Sequence, residues 1–142
     1  FFLPKLWRKK LRSIAVFPQE IPVSGMDLDY VMGAAALLRR SAFEQAGLMP
    51  DDYFMYFEET DMCWRMKKMG WKIRVINADP VMHVYGGSFK TKYDARRLKF
   101  FLNSLVLFVK KNCVGFKKIV ILTEIIIFGR ISLLLKRFKS IL

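Results

Sequence analysis

The chain is short of cysteine, histidine and acidic residues: its 142 residues include two, one and twelve of them, against twenty-five Lys and Arg. Cys63 and Cys113 match no zinc-ligand spacing and make no disulfide framework, so both read as small apolar residues in a reducing compartment. Phe1-Phe-Leu-Pro4 has no basic region ahead of its apolar residues, so these first residues do not read as a secretory signal, and the first residue is not Met, so an upstream piece is expected. The longest apolar-rich stretch, residues 119–135, is interrupted by Thr123, Glu124, Gly129, Arg130 and Ser132. Two charges in a stretch near the lower length limit for a bilayer span argue against a crossing helix. Disorder is excluded from the other side, because 54% hydrophobic and 15% aromatic content supports one modest core.

Charge is spread unevenly, with net +4 on residues 1–22, −2 on residues 23–89 and +11 on residues 90–142. These spans divide the chain into a basic leading segment, a slightly acidic domain and a basic tail. A polyanionic partner would therefore meet the ends. In the acidic middle, Tyr53-Phe-Met-Tyr-Phe-Glu-Glu-Thr-Asp61 delivers an aromatic run to three carboxylates, Glu58, Glu59 and Asp61, at the start of a helical pattern. Acids in a first helical turn are favoured by the helix dipole alone. Apolar surroundings and like-charged neighbours also raise a carboxylate's pKa towards the range of a general base.

Local signals place the other elements. Residues 31–38, Val-Met-Gly-Ala-Ala-Ala-Leu-Leu, are a short apolar run with small residues at its centre, as in a buried strand closely approached by another group. Ser41 and Glu44 have capping-box spacing, and Gly47 is placed to end that helix. Residues 48–57 read as a loop that also holds Asp51 and Asp52. From Glu58 a helix runs to Gly70, with Met62, Met66 and Met69 along one face as core. Trp71-Lys-Ile-Arg-Val75 alternates as a half-buried strand, and residues 77–80 are a turn. Two helices follow, over residues 93–111 and 116–138, broken near Asn112 and Gly115. Basic residues at the edges of the second suit an anionic membrane surface, with a dimerisation hairpin, and so a homo-oligomer, as the alternative.

Taken together, Asp29-Tyr-Val-Met-Gly-Ala34, Leu38-Arg-Arg-Ser-Ala-Phe43, residues 46–61, Trp64-Arg65, Gly70 and His83-Val-Tyr-Gly-Gly-Ser88 resemble the C-terminal half of family 2 inverting glycosyltransferases, in particular the rhamnosyltransferase-like branch. The resemblance covers residues 23–89. It implies an α/β fold: the acceptor-side half of a GT-A domain, a mixed sheet with flanking helices, followed by amphipathic C-terminal helices.

The resemblance also implies roles. Glu59 stands at the second position of the family's Glu-Asp pair and is the expected base, one methylene longer than the usual Asp, with Glu58 and Asp61 orienting it and the acceptor. Gly33, Ala34, Trp64 and Arg65 are the expected substrate contacts. His83, otherwise readable as a core residue, is an expected ligand of the Mg²⁺ or Mn²⁺ that holds the donor diphosphate. Asp27-Leu-Asp29 precedes the Gly-Ala segment and is not the family's Asp-x-Asp, which this sequence lacks. Residues 1–142 alone are accordingly expected to be inactive. The expected partners are a UDP- or dTDP-linked sugar, a glycan or lipid-linked acceptor and an anionic membrane, with no nucleic acid, on the cytoplasmic face of a bacterial inner membrane. A non-catalytic anchoring remnant and a basic membrane- or nucleic-acid-binding module are the readings from other classes.

Overall fold

The computed structural model describes residues 21–79, 81–82 and 95–139. In chain order these form β1 (Met26–Leu28), α1 (Arg40–Gln45), α2 (Glu58–Lys68), β2 (Ile73–Val75), α3 (Ala95–Asn112) and α4 (Gly115–Lys139). The expected mixed sheet is not formed among the described residues. Instead β1 and β2 pair antiparallel, with Met26 opposite Val75, Asp27 opposite Arg74 and Leu28 opposite Ile73. Arg74 donates to Asp27 across that pair at 2.7 Å, and Lys72 stands 3.3 Å from the same carboxylate. Hydrogen bonds from Lys72 and Arg74 hold the Asp27 carboxyl below its usual range. Asp29 is paired with Lys67. Both carboxylates of Asp27-Leu-Asp29 thus already have cationic partners.

The strand expected over residues 31–38 is also corrected: Gly33 and Ala34 lie in a turn, and residues 32–38 are exposed. A buried strand needs neighbours on both edges, and among the described residues the only ladder is β1–β2. The Ser41–Glu44 capping box does not form. The helix starts two residues earlier than that box requires, at Arg40 with Arg39 as its N-cap, so Ser41 sits inside it, and Glu44 takes a hydrogen bond from Arg40 at 2.7 Å. Its other end is as expected. Gly47, at φ +80°, donates to the Glu44 carbonyl while Leu48 donates to that of Phe43, the paired bonds of a left-handed C-terminal cap. Gly70, at φ +86°, repeats the arrangement at the end of α2, donating to the Lys67 carbonyl while Trp71 donates to that of Met66.

Between these caps α1 packs on α2 and β2. Ala42, Ala46, Met62, Cys63, Met66 and Ile73 are buried together, with Val31, Phe43 and Trp71 against them. Met69, expected in the same stripe, is 54% exposed because it already belongs to the cap that leaves the helix. Cys63 and Cys113 are free thiols, and burial pushes the Cys63 thiol up, against a hydrogen bond from the Val31 backbone. The tail folds back on itself. Gly129 of α4 lies where a Cβ would meet Leu102 of α3 at 3.0 Å, so the two helices approach closely at that point. Among the described residues no helix is long and apolar enough to cross a membrane.

Candidate functional site

The acidic turn is built by what precedes it. Tyr56 (φ +69°) and Phe57 (φ +70°) both adopt the left-handed conformation just ahead of Glu58. For a non-glycine residue this costs on the order of 1–3 kcal/mol each, so surrounding contacts must hold it. Those contacts come from α3. Phe101 packs on Tyr56 at 5.8 Å and on Phe57 at 5.4 Å between ring centroids, and Phe108 reaches Phe57 at 5.5 Å. Arg97 Nε donates to the Tyr56 hydroxyl at 2.9 Å, and Ser104 Oγ to the Met55 carbonyl at 2.6 Å. The chain therefore enters α2 in a fixed direction, with Glu58, Glu59 and Asp61 in the first turn, facing the helix dipole's positive end, and Arg65, Lys67 and Lys68 in the last.

The three acids have different surroundings. Glu59 Oε1 accepts a hydrogen bond from the Gly33 backbone N–H at 3.2 Å, while its Oε2 is buried without a hydrogen-bond partner. Glu58 Oε2 is likewise buried and unpartnered. Burial pushes the Glu58 carboxyl above its ordinary 4.5, its own backbone N–H opposes this, and the Glu59 charge adds to the rise. A raised value in the folded state means that the fold binds more protons than the unfolded chain. Stability should therefore fall as pH rises from about 4.5 through the raised value. Glu58→Gln should flatten that decline and melt no lower than the parent at neutral pH. An unchanged decline in thermal melts across the window would show that the turn is not the source.

Asp61 is fully buried. Its Oδ1 accepts from Asn112 Nδ2 at 2.6 Å, and its Oδ2 lies 3.4 Å from both Arg65 Nε and Lys111 Nζ. Arg65 also donates to the carbonyls of Ala46 and of Leu48, the latter at 2.8 Å. Lys111 donates to both Asp52 oxygens at 3.1 and 3.0 Å and sits 5.0 Å over the Tyr53 ring. Burial, with the charges of Asp61 and Asp52, pushes the Tyr53 phenol up.

The fold thus gathers Glu58, Glu59 and Asp61 in one turn and sets Gly33 against Glu59. Ala34 is exposed beside Gly33. Trp64, 41% exposed and stacked by Lys68 at 5.2 Å, lies more than a turn further along α2. Arg65 is committed to the carbonyls after α1 and to Asp61. His83 lies outside the described residues. Among those residues, no three His, Cys, Asp or Glu side chains are grouped to hold a metal ion, so the expected divalent ion has no described ligand set. Sequence reasoning missed Lys111, Asn112, Arg97 and Ser104. Their only signal was the break in the apolar-basic pattern at Asn112, which says nothing of Asp61, 51 residues away.

Comparison with known proteins points in one direction. Over 77 residues, 54% of this chain, it is 35% identical to the N-acetylglucosaminyl-diphospho-decaprenol L-rhamnosyltransferase of Mycobacterium tuberculosis, of which the match covers 24%. Over 60 residues, 40% of the chain, it is 33% identical to the low-salt glycan biosynthesis hexosyltransferase Agl10 of Haloferax volcanii, of which the match covers 19%. The chain thus matches less than a quarter of the length of either relative. No family model matches it. No solved structure matches it. These curated relatives are glycosyltransferases, and the likeness supports a transferase.

Proposed function

We propose that this chain is the acceptor-side part of a family 2 inverting glycosyltransferase of the GT-A type, which moves a sugar from a nucleotide-diphosphate donor to a glycan or lipid-linked hydroxyl. One observation carries the reading: a half-buried carboxylate in a first helical turn, Glu59, is steadied through Oε1 by Gly33 N–H and keeps a buried Oε2 free of hydrogen-bond partners. A carboxylate so held can accept a proton without first breaking a bond to the protein. In the proposed step the acceptor hydroxyl gives its proton to Glu59 as its oxygen bonds to the anomeric carbon. The bond from that carbon to the diphosphate oxygen breaks on the opposite face, which inverts the centre. Glu58 and Asp61 orient the turn, and Gly33, Ala34 and Trp64 border the acceptor. Mg²⁺ or Mn²⁺ belongs to the same proposal, with His83 its candidate ligand, and would neutralise the departing diphosphate.

The names of the relatives suggest the sugar and acceptor to try first, rhamnose and N-acetylglucosaminyl-diphospho-decaprenol, and the proposal adds a UDP- or dTDP-type donor. Since residues 1–142 alone are expected to be inactive, the assay uses the longer parent protein that contains them: membranes of cells expressing that parent should transfer labelled rhamnose, or another hexose, into the lipid fraction. Failure with every hexose offered would overturn the reading.

The same proposal puts the protein peripherally on the cytoplasmic face of a bacterial inner membrane. Its support is the outward side of α4, where Phe116, Ile119, Val120, Ile126, Ile127 and Ile131 are exposed. Residues 90–142 carry thirteen basic and two acidic groups, each Lys or Arg contributing about 1 kcal/mol near an anionic leaflet. Vesicles containing anionic lipid should capture the chain more strongly than neutral ones, high salt should weaken capture, and Ile127→Glu should weaken it further. Equal capture by both vesicle types at low salt would refute the electrostatic part.

A further inference from the structure

Helix α2 is held from two sides. Successive residues of a helix are about 100° apart, so Glu59 and Asp61, two positions apart, project about 200° from one another. Glu59 meets Gly33 on one side, while Asp61 meets Asn112 and Lys111 of α3 on the other. The Gly33–Glu59 bond, at 3.2 Å, is at the long end of the hydrogen-bond range, so a small displacement of α2 decides whether it exists. Asp61, fully buried, cannot leave its partners without stranding a charge. It therefore fixes how far the first turn of α2 stands from Gly33.

We infer that Asn112, assisted by Lys111, is a positioning residue for Glu59. Through Asp61 it holds the first turn of α2 at the distance where the Gly33 N–H reaches the Glu59 carboxylate. The inference rests on the reading of Glu59 as the base, and it adds that helix α3, which follows β2 in the chain, is part of the catalytic apparatus. Lys111 is itself steadied by Asp52 and the face of Tyr53, so this helix ties the loop before α2 and the turn that opens it to one another.

The test needs no sugar transfer. The Gly33 amide resonance of the 142-residue chain reports its bond to Glu59, and Glu59→Ala supplies the position of the unbonded amide. Asn112→Ala should move the Gly33 resonance towards that position and lower the amide's protection from hydrogen exchange. Val109→Ala, which trims another buried side chain of α3 while leaving every partner of Asp61 in place, should lower the melting temperature but leave the Gly33 resonance where it is. The exchange of partners in the double variant Asp61→Asn with Asn112→Asp keeps an amide and a carboxylate face to face beside Lys111, and it should restore the resonance. A Gly33 resonance that ignores Asn112→Ala, moves equally with Val109→Ala, or is not restored by the exchange would overturn the positioning role. None of those results bears on the transferase reading, which fails only through the transfer assay.

Discussion

In the longer parent protein that contains these residues, Glu59→Gln should lower sugar transfer by about 10²–10⁴-fold while leaving donor affinity near that of the unsubstituted parent. The amide keeps the length and shape of the side chain, and its oxygen can still accept from Gly33 N–H, but it cannot take up the acceptor's proton. The loss should therefore fall on turnover rather than on binding. Measured in membranes carrying the variant at matched expression, near-normal turnover for Glu59→Gln alongside a collapse for Glu58→Gln would move the base to Glu58, the carboxylate that burial has already pushed upward. Glu59→Asp restores the length usual in the resembling family, and it should retain much more activity than the amide.

Asp61→Ala should produce the largest loss of stability. Removing one member of a buried charge network strands the others, at a cost of about 3–5 kcal/mol. Arg65 and Lys111 keep part of their side chains in water, 25% and 34% exposed respectively, which puts the expected loss at the lower end. For a chain of this size that is a fall in melting temperature on the order of 10 °C. Asp61→Asn keeps the bond with Asn112 through its carbonyl oxygen and should lose less. A melting temperature within error of the parent for Asp61→Ala would mean that the two cations find water or Asp52 instead.

What the sequence made legible was what local rules govern. The stops at Gly47 and Gly70, the acid-first and base-last order of α2, the alternation through Ile73 and the break between α3 and α4 all follow from interactions within a few residues. Two errors had a common source, since the small-residue run at residues 31–38 and the Ser41–Glu44 pair were both read from spacing alone. A strand needs an edge to pair with, and a cap needs the helix to start where the motif says. Neither condition is written in the spacing. In the candidate site, the acidic triplet at the head of α2 was legible as a group, and the resemblance singled out Glu59 within it. Its hydrogen bond from Gly33 joins residues 26 apart, and the burial of Asp61 under α3 depends on residues 51 further along. No periodicity reports contacts of that range.

The distance in sequence between Asp61 and Asn112 also sets an order of events at the ribosome. At about 5–20 residues per second, the 51 residues separating them take roughly 3–10 s to synthesise. During that interval Ala42, Met62 and Ile73 can already pack, since all three lie upstream of α3, while the Asp61 carboxylate has neither Asn112 nor Lys111 to receive it and stays hydrated. Nascent chains should therefore pass through a stage with a formed α1–α2 pair and an unsealed acidic turn. That turn closes only as α3 emerges.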